Sequence, residues 1–147
     1  ARALNIPAFV IDHRHYASRE AFEQDLHDKL VSLEAELVCC AGFMRVLTPW
    51  FVSRWKNRLL NIHPSLLPKF KGLKTHQRAI EAGDKETGCS VHWVTEELDA
   101  GAVILQKSVE IAPDDTAELL AARLLPVELS LYPEALKKVA SKILAAH

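Results

Sequence analysis

Cysteine is scarce in this sequence, and its few cysteines have no spacing typical of a disulfide framework or a metal site. There are three, Cys39, Cys40 and Cys89, an odd count with no CxxC pair. Cys39 and Cys40 lie inside an apolar run, the usual place for buried, reduced thiols. The seven histidines match no zinc-binding spacing either. We therefore expect no metal site, and we expect a reducing compartment, the cytoplasm.

Several other features that would define a protein class are missing. No GxGxxG motif, P-loop or GxSxG elbow occurs, so a dinucleotide site, a nucleotide-binding P-loop or a hydrolase triad has no support. No apolar run reaches the roughly 18 residues that a membrane span needs. The net charge is −1, from 18 basic and 19 acidic residues. Without a basic bias we expect no nucleic acid and no membrane as partners.

The chain opens as if in the middle of a fold. It begins with Ala1 rather than methionine, and ARALNIPAFV contains no signal-peptide pattern of charge, apolar run and cleavage site. Residues 2–4 resemble the end of a helix that Asn5 closes. We interpret this opening as that of a chain without its natural start.

What the sequence does contain is a regular alternation of apolar runs and helical periodicity, which predicts an α/β fold in a single domain, residues 1–147. Ser18, Thr48 and residues 114–116 are suitable helix N-caps, and Gly83 is suited to end a helix. The run ELVCCAGF (36–43) is typical of a strand buried on both faces, so we expect it inside a mostly parallel sheet and not at an edge. The predicted strands lie near residues 6–11, 36–42, 58–62, 89–95 and 102–111.

Three polar clusters follow the predicted strands, at Gly42–Leu47, Asn61–Ser65 and Thr95–Asp99. Ligands of open α/β sheets bind at the carboxyl ends of strands, so these clusters are the candidate site. Asn61 and His63 alternate along one strand and point to the same side. An amide and an imidazole can stabilise a developing oxyanion, and Asp99 is the best candidate to orient the imidazole. From these residues alone, the alternative is that Asn61 and His63 have no catalytic role and only satisfy the hydrogen bonds of a loop.

The motifs CAGFMRVLTPWFV, LLNIHPSLLPKFKG and VHWVTEELDAGAVILQ resemble, in order and spacing, the formyltransferases that use 10-formyltetrahydrofolate. The resemblance covers nearly the whole chain. Within the family, GLKTHQRAIEAG favours the branch that formylates phosphoribosylglycinamide in purine biosynthesis. The alternatives are a formyltetrahydrofolate deformylase, another formyl-folate-dependent transferase, or an inactive folate-binding fragment. The resemblance implies an open, mostly parallel, Rossmann-like sheet flanked by helices.

The resemblance also implies site residues. Asn61, His63 and Asp99 occupy the catalytic positions, and no metal is needed. The implied partners are the two small-molecule substrates, and the chain is expected to be a monomer or a weak homodimer. The implied folate-binding residues are Arg19, Met44, Arg45, Val46, Leu47, Asn61, Thr95, Glu96, Glu97, Leu98 and Asp99, and those implied to bind the glycinamide substrate are Leu125, Pro126, Val127 and Glu128.

This chain departs from the family pattern in two places. The family opens with a strand and a glycine- and serine-containing loop whose backbone amides hold the ribose phosphate, and this βα unit is absent here. Leu129 stands where the family usually has histidine. In addition, Pro126 lies inside a helical pattern, where proline costs about 3 kcal/mol, so we expect a kink or a break there.

Overall fold

The computed structural model describes residues 1–145 and contains a four-stranded sheet in the order β1-β2-β3-β4. Its strands are β1 (Val38–Cys40), β2 (Leu59–His63), β3 (Glu86–Trp93) and β4 (Val103–Glu110). The helices are α1 (Arg19–Ser32), α2 (Pro49–Arg54), α3 (Thr75–Glu81) and α4 (Ala117–Leu144). Two short 3-10 turns, Arg2–Leu4 and His13–His15, precede α1.

The local signals for helix ends are confirmed. Ser18, Thr48 and Thr116 each accept a hydrogen bond from the backbone N–H three residues further on, as N-caps of α1, α2 and α4. Asn5 closes the first turn in the left-handed region, with φ of 54°. Gly83 follows α3 with φ of +70°, a conformation that favours glycine.

The sheet is open and flanked by helices, as predicted, but it is mixed. β1 and β2 pair in parallel, with α2 in the connection between them. β2–β3 and β3–β4 are both antiparallel, so parallel pairing is restricted to β1–β2 among the described strands. The short connection between β3 and β4 permits only an antiparallel pair, because a parallel pair needs a long crossover.

The first two predicted strands are corrected by the structure. Residues 6–11 form no strand, and Phe9 and Val10 are 54% and 87% exposed. The predicted strand 36–42 is reduced to three residues, and β1 lies at an edge of the sheet rather than inside it. An apolar run forms an interior strand only when a neighbour pairs with each of its edges, and among the described strands β1 pairs with β2 alone.

Helices cover both faces of the sheet. On one face, Phe51, Trp55 and Leu59 form a buried cluster that α1 joins through Leu26 and Leu30. On the other face, α4 packs against β3 and β4, and Cys89, Val91, Leu124, Leu131 and Ala135 are buried there. Since side chains alternate along a strand, Asn61 and His63 share the face of Leu59, on the side of α1 and α2.

Of the kink or break predicted at Pro126, the break is corrected, because α4 continues through both Pro126 and Pro133. Each proline lacks the N–H that would bond to the carbonyl four residues earlier, at Ala122 and Leu129 respectively. All four residues are exposed, so water can solvate these carbonyls. The opposite side of α4 is buried against the sheet, and this packing holds the helix together across the prolines.

None of the helices within residues 1–145 combines the length and the apolar character needed to cross a membrane.

Candidate active site

A cavity lies over the middle of the sheet, above a row of three residues that face one another across neighbouring strands. Cys40 of β1, Asn61 of β2 and His92 of β3 are register partners in this row, and all three line the cavity. A β-bulge between Val91 and His92 disturbs the pairing with β4 beside this row. Bulges re-aim side chains near functional sites. The segments after β1 and β3 supply the remaining walls.

Asp99 is the centre of the polar cluster. Its Oδ2 lies 3.3 Å from Nδ1 of His63, and its Oδ1 lies 3.6 Å from Nε2 of His92. Oδ2 also accepts a 2.9 Å hydrogen bond from the backbone N–H of Gly72. The carboxylate is almost fully buried, at 7% exposure. The structure therefore brings Asp99 and His63 together, as the sequence predicted, with a second histidine on the other carboxylate oxygen.

The backbone around Asp99 is held in an unusual conformation. Asp99 has φ of +49°, in the left-handed region that is costly for residues other than glycine. The loop closes at Gly101, where a Cβ atom would lie 1.7 Å from the carbonyl oxygen of Trp93, so no side chain fits there. This tight closure returns the loop to the sheet and directs the Asp99 carboxylate towards the two histidines.

His63 is held at both ring nitrogens. It is 6% exposed, and its Nε2 lies 2.9 Å from the backbone oxygen of Phe70. A carbonyl oxygen only accepts hydrogen bonds, so Nε2 carries a proton and donates a hydrogen bond to the Phe70 carbonyl. Nδ1 then faces the Asp99 carboxylate. His63 does not line the cavity itself, whereas Asn61 and Asp99 do.

His92 is the site residue that sequence analysis missed. It is 2% exposed, and its Nδ1 donates a 2.9 Å hydrogen bond to the carbonyl oxygen of Trp93. Its Nε2 is buried without a hydrogen-bond partner and faces Asp99. Burial lowers the pKa of His92, although the Trp93 carbonyl and the Asp99 charge act in the opposite direction. In the sequence, His92 is one position in an alternating strand, and only the register with Asn61 reveals its place.

The residues expected to hold the folate are only partly gathered at the cavity. Those that line it are Arg45, Val46, Leu47, Asn61, Thr95, Glu96, Leu98 and Asp99. Met44 is 78% exposed and does not line it, nor does Arg19, the first residue of α1. Glu97 turns away from the cavity and pairs with Lys71, with Oε1 and Nζ 3.0 Å apart.

Of the four α4 residues expected to contact the glycinamide substrate, Glu128 has the clearest link to the polar cluster. Burial raises the pKa of Glu128, and the charge of His63 acts to lower it, so the two groups interact electrostatically. Val127 packs into the core beneath α4. Leu125 and Pro126 are exposed. Within residues 1–145, no cluster of three or more histidine, cysteine or acidic side chains is arranged to hold a metal ion.

An open sheet with helices on both faces, and a cavity across its strands, defines an α/β domain of Rossmann-like architecture. Comparison with known proteins gives the family. The formyl transferase model matches residues 1–136, and the chain therefore belongs to the formyl transferase family.

Relatives and solved structures agree with this assignment. Trifunctional purine biosynthetic protein adenosine-3 of Chironomus tentans is 51% identical over 96% of this chain, which spans 10% of that protein. Phosphoribosylglycinamide formyltransferase of Escherichia coli (strain K12) is 46% identical over 90% of this chain, which spans 63% of that protein. The crystal structure of phosphoribosylglycinamide formyltransferase from Brucella melitensis has a TM-score of 0.89 and 47% identity, covering 95% of this chain and 71% of that one.

Proposed function

We propose that this protein transfers the formyl group of 10-formyltetrahydrofolate to the amine of phosphoribosylglycinamide, a step of purine biosynthesis. The observation that carries the proposal is the position of Asp99, which lies against His63 and at the wall of a cavity that also contains Asn61. This arrangement supplies an amide, an imidazole and a buried carboxylate, the groups that acyl transfer requires. The names of the relatives supply the substrate.

In the proposed reaction, the nitrogen of the glycinamide amine bonds to the formyl carbon, and the electron pair of the C=O bond moves to oxygen. The Asn61 amide donates a hydrogen bond to this oxyanion, and His63, which lies behind the cavity wall on the same face of the sheet, stabilises it through the electrostatic field of its ring. The bond between the formyl carbon and N10 of the folate then breaks, and the proton lost by the amine is delivered to N10 through water. Asp99 keeps His63 oriented, because Nδ1 of the imidazole faces its carboxylate.

The cavity suits a folate in its chemistry. Val46, Leu47, Val52 and Leu98 line the cavity and offer apolar surface to a flat ring. Most ligand cavities combine an apolar lining with few polar groups in this way. Three residues of the proposed folate site do not line the cavity themselves: Arg19, Met44 and Glu97. We therefore expect substitutions at those three residues to weaken folate binding less than substitutions at Leu47 or Leu98.

Glu128 is the proposed contact for the glycinamide substrate. Its carboxyl group lies on α4, on the opposite side of the sheet from α1 and α2, and interacts electrostatically with His63. A carboxylate at this position can accept hydrogen bonds from an amine or from ribose hydroxyls.

The proposal is tested by measuring formyl transfer with the full-length protein, using 10-formyltetrahydrofolate and phosphoribosylglycinamide. We expect formylated product only when both substrates are present, and little product in Asn61→Ala. His15→Ala is the matched control, because this exposed histidine lies in a turn outside the cavity. Release of formate at the same rate without the glycinamide substrate would instead identify a deformylase, and the proposal would then be wrong.

A further inference from the structure

A second row of side chains crosses the sheet next to the row that carries Asn61. His63 of β2 is the register partner of Ser90 on β3, and Ser90 is the register partner of Gln106 on β4. Residues directly opposite on neighbouring strands share a face of the sheet, so all three point to the same side. Ser90 and Gln106 do not line the cavity, and the reaction steps proposed above do not use them.

Ser90 and Gln106 bind the loop formed by residues 64–72. The Ser90 hydroxyl donates to the carbonyl of Ser65 at 2.6 Å and accepts from the N–H of Leu67 at 3.1 Å. Nε2 of Gln106 donates to the carbonyl of Leu67 at 2.7 Å and to the Ser90 hydroxyl at 2.8 Å. One donated and two accepted bonds use the whole hydrogen-bonding capacity of the fully buried hydroxyl.

The same loop carries both groups that hold the imidazole of His63. The Phe70 carbonyl accepts from Nε2, and the Gly72 N–H fixes the carboxylate of Asp99 that faces Nδ1. Phe70 has φ of +52°, which is strained for a residue with a side chain. Such a conformation persists only when the surroundings impose it. The bonds from Ser90 and Gln106 anchor the segment immediately before Phe70.

We propose that Ser90 and Gln106 are positioning residues for His63. They clamp the loop 64–72 to the sheet, and the clamped loop sets the ring orientation of His63 and the hydrogen bond of its Nε2 to Phe70. The importance of this clamp for turnover rests on the proposed formyl transfer, whereas its effect on the His63 ring does not.

The first test uses Gln106, because its removal leaves the buried cores intact. The residue is exposed apart from the bonds made by its amide. Gln106→Met keeps the length of the side chain and removes the donor, and Gln106→Ala serves as a second variant. Lys107→Ala, at the neighbouring exposed position of β4, is the control. The readout is the ¹⁵N chemical shifts of the His63 ring nitrogens in the full-length protein.

We expect the wild type and Lys107→Ala to show Nε2–H held in its hydrogen bond to the Phe70 carbonyl, and both Gln106 variants to show an Nε2 shift displaced by the loss or weakening of that bond. In formyl transfer, both Gln106 variants should lower kcat by about 10- to 100-fold, because small misplacements at a reacting centre have effects of this size. KM for the folate should change little. Unchanged His63 shifts in folded Gln106→Met and Gln106→Ala would overturn the inference, whatever their activity.

The two proposals fail in different ways. A wild type that transfers no formyl group contradicts the proposed function, and the ring shifts still test the clamp. Normal transfer by the wild type, with kcat unchanged in both Gln106 variants, contradicts the clamp alone.

Discussion

At the scale of single residues, the site depends on one buried carboxylate with two imidazole neighbours. Asp99 faces His63 with one oxygen and His92 with the other, and Gly72 N–H is its hydrogen-bond donor. Buried carboxylates are stable only when they are paired or hydrogen-bonded. Asp99 therefore links three segments of the chain.

The pH dependence of stability should report on His92. Burial lowers its pKa in the folded protein below the value of about 6.5 that applies to the unfolded chain. Below that pH the unfolded chain binds the additional proton, so His92 makes the folded state less stable as the pH falls. The His92→Gln variant should therefore show a shallower loss of unfolding free energy between about pH 6.5 and 5.

Urea unfolding at several pH values measures this effect. The pKa of His76 is also lowered by burial, so the difference between wild type and His92→Gln isolates the contribution of His92. An equally steep pH dependence in both proteins would contradict the assignment.

At the scale of secondary-structure elements, local sequence rules correctly predicted the helix ends, which depend on a few neighbouring residues. The N-caps Ser18 and Thr48 and the stop at Gly83 follow from the hydrogen-bonding and backbone preferences of those residues. The rules failed for a strand at residues 6–11 and for a break at Pro126, because strand pairing and the burial of α4 are set by distant parts of the chain. His92 was missed for the same reason, since only the register with Asn61 brings it to the cavity.

The continuity of α4 predicts that Pro133 destabilises the helix in which it lies. Pro133→Ala restores an N–H that can bond to the carbonyl of Leu129, and Pro133 is exposed, so no core packing is lost. We expect the free energy of unfolding to rise by about 1–3 kcal/mol. Pro113→Ala, outside any helix, is the control and should give no such gain. Thermal unfolding that shows no gain for Pro133→Ala would mean that α4 is interrupted there.

At the scale of the whole molecule, the first ten residues of the described structure expose several apolar side chains, and β1 leaves one edge of the sheet open. Leu4, Ile6, Phe9 and Val10 are each more than half exposed, and so is Val31 of α1. Exposed apolar surface and an open strand edge both favour association between chains. The open edge of β1 does not alter the architecture, because the structure of the Brucella melitensis enzyme matches this chain with a TM-score of 0.89.

The exposed region predicts self-association of the 147-residue chain at high concentration. Val10→Lys places a charge in the most exposed part of the region, at 87% exposure, and should lower the light scattering of concentrated solutions. Leu144→Lys, a 72% exposed position at the end of α4, is the matched control and should have little effect. Equal scattering of both variants and wild type would place the association surface elsewhere.

The central claim is that His63 and Asp99 act as one unit in formyl transfer, and a double-mutant cycle in the full-length protein tests it most directly. Asp99→Asn keeps the shape of the side chain and removes its charge, so kcat should fall by about 100- to 1,000-fold while affinity for a folate analogue changes little. His63→Ala combined with Asp99→Asn should lose little more than the worse single variant, because groups that act together are not additive. Near-normal turnover in Asp99→Asn, or losses that multiply in the double variant, would contradict the account.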